Sequence, residues 1–216
     1  MEFKLLKATK ETARQWQDTI LATGIERIEN YTGLNQPNRY YTGYCGELTF
    51  RDGLWFYGKR WFYRAHLDGR AHQSDIRVWV DDEPRDVDVK TSSQSWATDM
   101  LVSERQFGRH RSDYYVGAKF GFGSESIEFL GWATRAEIAR WPKRVFKTMS
   151  HYHPYADLHD MEELLAMLDP DESSLPLAAN ADALLRDGVA IGDVWSEPVL
   201  TKGGFQKLRP KQLELW

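Results

Sequence analysis

Ser74–Ser93, reading SDIRVWVDDEPRDVDVKTSS, is the stretch on which the fold turns. Ile76, Val78 and Val80 precede Asp81-Asp82-Glu83-Pro84, and Val87 and Val89 follow it, each set recurring at every second position. That is the period of a half-buried strand, and the acidic tetrapeptide supplies the turn, so the pattern predicts a β-hairpin. Side chains two apart share a face of a strand, so the valines take one face of the second strand and Asp86, Asp88 and Lys90 the other. A hairpin turning about Asp82-Glu83 sets Asp75 across from Lys90 and beside Asp88, with Ile76 and Val78 across from Val89 and Val87. This register buries every aliphatic and gathers two carboxylates with an ammonium.

Two carboxylates on neighbouring strands, with the carbonyl of Val89 between them, offer hard oxygen ligands to Mg²⁺ or Mn²⁺. A metal there would acidify water and neutralise a phosphate, while Lys90 orients the nucleophile or steadies the pentacovalent state. A solvated strand face that alternates acid and base is the plainer alternative, because Asp-x-Lys alone is short and common.

The flanking segments extend the pattern. Helical spacing predicts a helix from about Thr9 to Ala22, a short helix near 25–31, and a helix from about Gly43 in the aromatic-rich run Tyr40–Tyr63. The last of these carries Glu47, turned either inward to the hairpin or outward to solvent. A short helix follows over about 102–110, then strands at Asp113–Phe120 and Ser126–Ala133 joined by a Gly121–Gly123 turn. Thr134 and Glu137 form a capping box opening a helix that ends near Trp141-Pro142, and a last amphipathic helix covers Leu158–Leu168. Helix, hairpin, two strands and helix in that order predict an α/β fold, a mixed sheet flanked by helices. An N-terminal helical arm (1–38), a core (39–168) and a linker with tail (169–216) divide the chain, the arm covering the core or holding a homodimer together.

With Gly46-Glu47, Asp75 and Asp88-Val89-Lys90 followed by Thr91-Ser92, the chain resembles the PD-(D/E)XK superfamily of restriction-endonuclease-like nucleases. The resemblance spans about Gly43 to Leu168; Ser74 stands where the motif's proline often does. It implies a restriction-endonuclease-like fold and a Mg²⁺- or Mn²⁺-dependent phosphodiesterase. Asp75 and Asp88 would be metal ligands with the Val89 carbonyl, Glu47 would assist or hold a second ion, and Lys90 would position water. In one branch of the family a glutamine on the helix after the motif lies by the active site; Gln106 is the candidate here, although His110 replaces the usual later tyrosine.

Composition narrows the setting. Of 216 residues 42% are hydrophobic, the globular range, and no apolar run approaches a membrane span. With no signal peptide at Met1-Glu2-Phe3-Lys4, a cytoplasmic protein of a bacterium or a phage-infected cell is expected. The single cysteine, Cys45, excludes an internal disulfide and a cysteine-cluster zinc site, and its apolar surroundings suggest packing. His151, His153 and His159 with Asp157 match no familiar zinc spacing. The net charge of −4 argues against coating nucleic acid by charge alone, so local cations matter more. These are Lys59, Arg60 and Arg64; Arg105, Arg109, His110 and Arg111; and Arg135, Arg140, Lys143, Arg144 and Lys147. Each is a solvated face taken singly; together Lys59, Arg60, Arg105, Arg109 and Arg111 are candidate contacts to DNA. His72 is an exposed histidine near the hairpin.

The chain closes on Gln212-Leu213-Glu214-Leu215-Trp216 after a flexible basic spacer. This resembles the pentapeptide with which bacterial DNA-processing proteins bind the replicative sliding clamp. By that resemblance Gln212 bonds the pocket rim, while Leu213, Leu215 and Trp216 fill the apolar pocket. The alternative is a tail folded onto its own core. The expectation is a clamp-tethered DNA nuclease of replication, repair or recombination. A non-catalytic clamp-bound DNA adaptor and an RNA- or tRNA-cutting enzyme on the same scaffold are the rivals.

Overall fold

A computed structural model describes residues 1–22, 37–63, 74–109, 111–121, 126–146 and 148–171. Arg64, His72, His110, the Gly121–Gly123 turn beyond Gly121, Lys147, the helix expected near 25–31 and the Gln212–Trp216 motif lie outside the described residues. The chain opens with β1 (Glu2–Lys4), α1 (Lys7–Ala22), α2 (Pro37–Phe56) and β2 (Trp61–Tyr63), then the hairpin β3 (Ile76–Val80) and β4 (Glu83–Ser92). β5 (Asp99–Ser103) and α3 (Glu104–Arg109) lead into β6 (Tyr114–Phe120) and β7 (Ser126–Thr134). α4 (Arg135–Ile138), β8 (Lys143–Val145), β9 (Met149–Pro154) and α5 (Met161–Met167) complete the described fold.

Two sheets result. The larger has the order β1-β7-β6-β4-β3-β2, and the smaller β5-β9-β8. Within the larger sheet β4 and β6 run parallel and the other neighbours antiparallel, so the sheet is mixed. Parallel neighbours need a crossover, and β5 with α3 provides it. The valine face of β4 meets α2 in a core with Leu48, Leu54, Ile76, Val78, Val116 and Phe129. A second core, with Met100, Val102, Tyr115, Ile138 and Trp141, joins the opposite face to the smaller sheet. The larger sheet is therefore layered between helices and a second sheet, a mixed α/β architecture.

The hairpin turns one residue earlier than the sequence pattern predicts. Asp81 and Asp82 both adopt positive φ, 52° and 62°, the backbone of a two-residue turn that matches strand twist and that Asp tolerates. The Asp169 carboxylate accepts the Asp81 and Asp82 N–H groups at 3.0 and 2.8 Å, fixing that turn. Ile76 thus pairs with Val87 and Val78 with Arg85, two positions from the expected register. An even displacement leaves every side chain on its expected face, and continuing the pairing by one sets Asp75 opposite Asp88.

Residues 1–22, expected as an arm, join the core. β1 adds an edge strand to β7, and the Met1 ammonium donates to the Phe129 carbonyl at 2.9 Å. At the other end, Asp169 N–H donates to Trp79 and Asp171 N–H to Gly58, so the folded body continues past Leu168. The Thr134–Glu137 capping box is present in both directions, although its helix is only one turn long. Cys45 is fully buried and its thiol is pushed up to about 11 by that burial, as a packing residue should be.

Candidate active site

Three elements meet at the site: the approach to β3, β4 itself and α2. The ladder of β3 with β4 begins at Ile76, and one backbone bond beyond it joins Asp75 N–H to the Val87 carbonyl at 3.1 Å. Val89 would donate next, and it donates to the Asp75 side chain instead, at 2.8 Å. The Val89 carbonyl has the parity of the Val87 carbonyl, so it points toward the same side, into the space where Asp75 lies. On the adjacent strand face the Lys90 ammonium donates to Asp88 Oδ1 at 2.6 Å. Both are enclosed: Asp88 is 2% exposed and Asp75 8%.

The third element is α2, which approaches β4 at Gly46. A Cβ there would overlap Thr91 Oγ1 and stand 2.9 Å from Thr91 Cβ, so only glycine lets the helix come this close. Glu47 follows it directly, half-buried, with Oε1 one turn back by Gly43. The inward alternative for Glu47 is the one the electrostatics favour. The Asp75 carboxyl is held well above its usual range by burial, then by Glu47 and Asp88, including a hydrogen bond between the two aspartyl groups; Lys90 opposes the shift. Burial alone would lower the Lys90 ammonium, yet Asp88 and Asp75 outweigh it and the net shift is upward. Lys90 therefore stays charged and balances a buried acidic group that would otherwise favour protonation.

Two tyrosines complete the surroundings, and neither stood out in the sequence. Tyr115 on β6 lies level with Asp88 in the parallel ladder. Its hydroxyl accepts from Arg135 at 3.1 Å and is shifted upward by burial and by Asp88, against Arg135 and Lys90. Tyr44, one turn before Glu47 on α2, is raised by burial, then by Glu47, Tyr40 and Asp75. Strand alternation gives Tyr115 as an inward residue; its neighbour depends on the parallel pairing, which local pattern does not specify.

The other expected residues scatter. Gln106 is exposed on α3, whose neighbour Phe107 is the residue that touches the site's surroundings, packing on Tyr115 at 6.1 Å. Arg105, Arg109 and Arg111 are exposed. Arg60 lies over the Trp79 ring at 4.4 Å, 3.5 Å from Asp82. The Lys59 ammonium donates to the Leu168 carbonyl at 3.0 Å and is shifted downward by burial, a structural role. Asp86 pairs with Arg77 at 2.8 Å rather than joining the cluster. His151 packs on Phe107, His153 stacks on Trp141, and His159 bonds Glu137 at 2.6 Å.

Among the described residues, no group of three or more His, Cys, Asp or Glu side chains is gathered tightly enough to hold a metal ion. The donor set that fits is smaller: Asp75, Asp88 and the Val89 carbonyl, with Glu47 felt through its charge. Mg²⁺ is commonly held by one or two carboxylates, the rest of its shell being water and substrate phosphate. Hard oxygen donors around a carboxyl that burial and two neighbouring acids push upward suit such a cation. No helix among the described residues is long and apolar enough to cross a membrane. No protein-family model, no curated protein and no solved structure matches this chain.

Proposed function

We propose that the protein is a metal-dependent phosphodiesterase of the PD-(D/E)XK type, acting on DNA and tethered to a sliding clamp through Gln212–Trp216. One observation carries the catalytic part: Asp75 and Asp88, brought to opposite positions of a hairpin, share a buried site with Lys90 and the field of Glu47. Mg²⁺ or Mn²⁺ held by Asp75, Asp88 and the Val89 carbonyl would lower the pKa of water and offset phosphate charge. Lys90, charged and fixed by Asp88, orients water by donating to it and meets the negative charge that develops on the phosphate. Glu47 draws cationic charge to the site from the helix side, and Tyr115 with Arg135 holds the β6 side of Asp88 in place. The restriction-endonuclease-like form of the fold belongs to this proposal. It is supported by the order helix, hairpin, crossover and antiparallel strand around a mixed sheet.

The Lys90–Asp88 pair also suits a rival. A lysine that already neutralises the acid could leave a DNA-binding adaptor with no chemistry. Incubating labelled single-stranded, duplex, flap and four-way-junction DNA, with matched RNA, in Mg²⁺ or Mn²⁺ separates these. Strand scission lost in Asp88→Asn by at least about a hundredfold is expected. Scission by Asp88→Asn at the wild-type rate, or none by the wild type on any substrate, would remove the proposal. Preference for RNA would move it to the RNA-cutting alternative.

A further inference from the structure

His153 and His159, whose spacing matches no familiar zinc site, both line a cavity of about 260 Å³. Each lies on an indole. His153 stacks on Trp141 with ring centres 4.8 Å apart and planes 12° apart, and His159 lies 4.8 Å from Trp132, tilted by 34°. Two backbone hydrogen bonds of 3.0 Å between Trp132 and His159, one in each direction, hold the second pair in register. Both imidazoles are thus backed by an indole, and the face each can offer a ligand is the one turned from it. Ala133, also in the lining, pairs with Tyr115, which pairs with Asp88. Two strands, about 10 Å, therefore separate this cavity from the candidate active site.

The polar groups left unused define the occupant. Glu137, in the lining, is already committed: it accepts from the Thr134 N–H and hydroxyl and is bonded to His159. The Trp132 indole N–H donates to the Asp160 carbonyl. What is left is Arg140 and Asp157, both exposed at the cavity and neither with an ion-pair or side-chain hydrogen-bond partner among the described residues. A lining cation and a lining carboxylate that do not pair with each other call for a ligand with an acceptor edge and a donor edge. The rings call for a flat one, which excludes an aliphatic zwitterion. The volume is below the roughly 300–1,000 Å³ of sites for drug-sized ligands, so it suits a single heterocycle. Guanine meets all three requirements. Its N7 and O6 both accept, the pair that a guanidinium takes in a fork, and its N1–H and N2–H₂ both donate, matching the two oxygens of a carboxylate. Adenine sets a donor beside N7, and neither it nor a pyrimidine has two donor groups side by side.

We propose that this cavity holds one guanine base, its ring against the His153 and His159 imidazoles, its N7/O6 edge on Arg140 and its N1/N2 edge donating to Asp157. A free guanine nucleotide and a guanine extruded from a strand present the same edges. Two titrations of the full chain in EDTA distinguish these sources. Calorimetry follows the monophosphates of guanosine, inosine, adenosine, cytidine and uridine; anisotropy follows a labelled oligothymidine strand carrying one central guanine, one central adenine or neither. Guanine is expected to bind at least about tenfold tighter than the other natural bases. Inosine monophosphate keeps N7, O6 and N1–H but lacks N2–H₂, so it should bind more weakly than the guanine nucleotide. Asp157→Ala should close that gap, whereas Arg140→Ala should weaken both nucleotides about tenfold. Each replaces an exposed, unpartnered side chain, so urea midpoints should stay at the wild-type value. Guanine preference in the nucleotide arm alone identifies a free nucleotide, and in the strand arm alone an extruded base; either upholds the cavity. Equal affinity for guanine and adenine in both arms would overturn it, as would guanine binding unchanged in both variants. A chain that discriminates guanine yet cuts nothing in Mg²⁺ or Mn²⁺ would sink only the nuclease reading, and a nuclease indifferent to guanine only this one.

Discussion

Gly46→Ala tests the approach of α2 to β4, on which the position of Glu47 depends. Alanine is the better helix former by about 1 kcal/mol at an unobstructed interior position. Here its Cβ would overlap Thr91 Oγ1 and stand 2.9 Å from Thr91 Cβ and 3.2 Å from Cγ2. Rotating Thr91 exchanges one branch for another and leaves Cβ where it is, so the helix must lift. Overpacking of this kind costs about 1–3 kcal/mol, and the depth of the overlap points to the upper end. Setting that against the helix-propensity gain leaves a net loss of about 2 kcal/mol. Thr91→Ala alone should be near neutral, since it removes a buried hydroxyl with no hydrogen-bond partner along with a methyl group. Combined with Gly46→Ala it should restore at least about 1 kcal/mol beyond additivity. Urea unfolding at constant m-value measures all four proteins. A Gly46→Ala protein more stable than wild type, or strict additivity in the double variant, would refute the close approach.

Three further outcomes are expected. Because the folded Asp75 carboxyl is raised above its ordinary 3.8, the folded state holds a proton the unfolded state releases, so stability falls as pH rises through that window. Asp75→Asn, which keeps an oxygen for Val89 N–H, should lose this slope and be the more stable protein at pH 8 without metal; an equal slope in urea midpoints at pH 5 and 8 would contradict it. Lys90→Met should destabilise by about 3–5 kcal/mol by stripping a buried acid of its counter-charge, with much of the loss recovered in Lys90→Met/Asp88→Asn; a thermally unchanged single variant would show the pair to be unimportant. Deleting Gln212–Trp216 should abolish capture by a bacterial sliding clamp while leaving cleavage of free oligonucleotides unchanged, and undiminished capture would show that the pentapeptide is not the tether.

Much of the candidate site is legible in the sequence. Period-two alternation over Ile76–Val80 and Val87–Val89 fixes which side chains face the core, and that parity survived a register shift of two. The shift itself was not legible, because it depends on Asp169, 87 residues beyond Asp82, binding the turn. Glu47 could be placed on a helix but not oriented, since its direction follows from Gly46 meeting Thr91 across the interface. Gln106, expected near the chemistry, is exposed on a helix of six residues that contributes Phe107 instead.

Local rules therefore determined the hairpin, the Thr134 cap and the chemical character of Asp75, Asp88 and Lys90, because each depends on neighbours within a few residues. Only the tertiary structure decided that Tyr115 stands level with Asp88, that β1 closes one edge of the sheet, and that Trp132 and His159 line one cavity. Those contacts join segments tens of residues apart, and their pairing is set by how layers pack, which no periodicity in a single strand encodes.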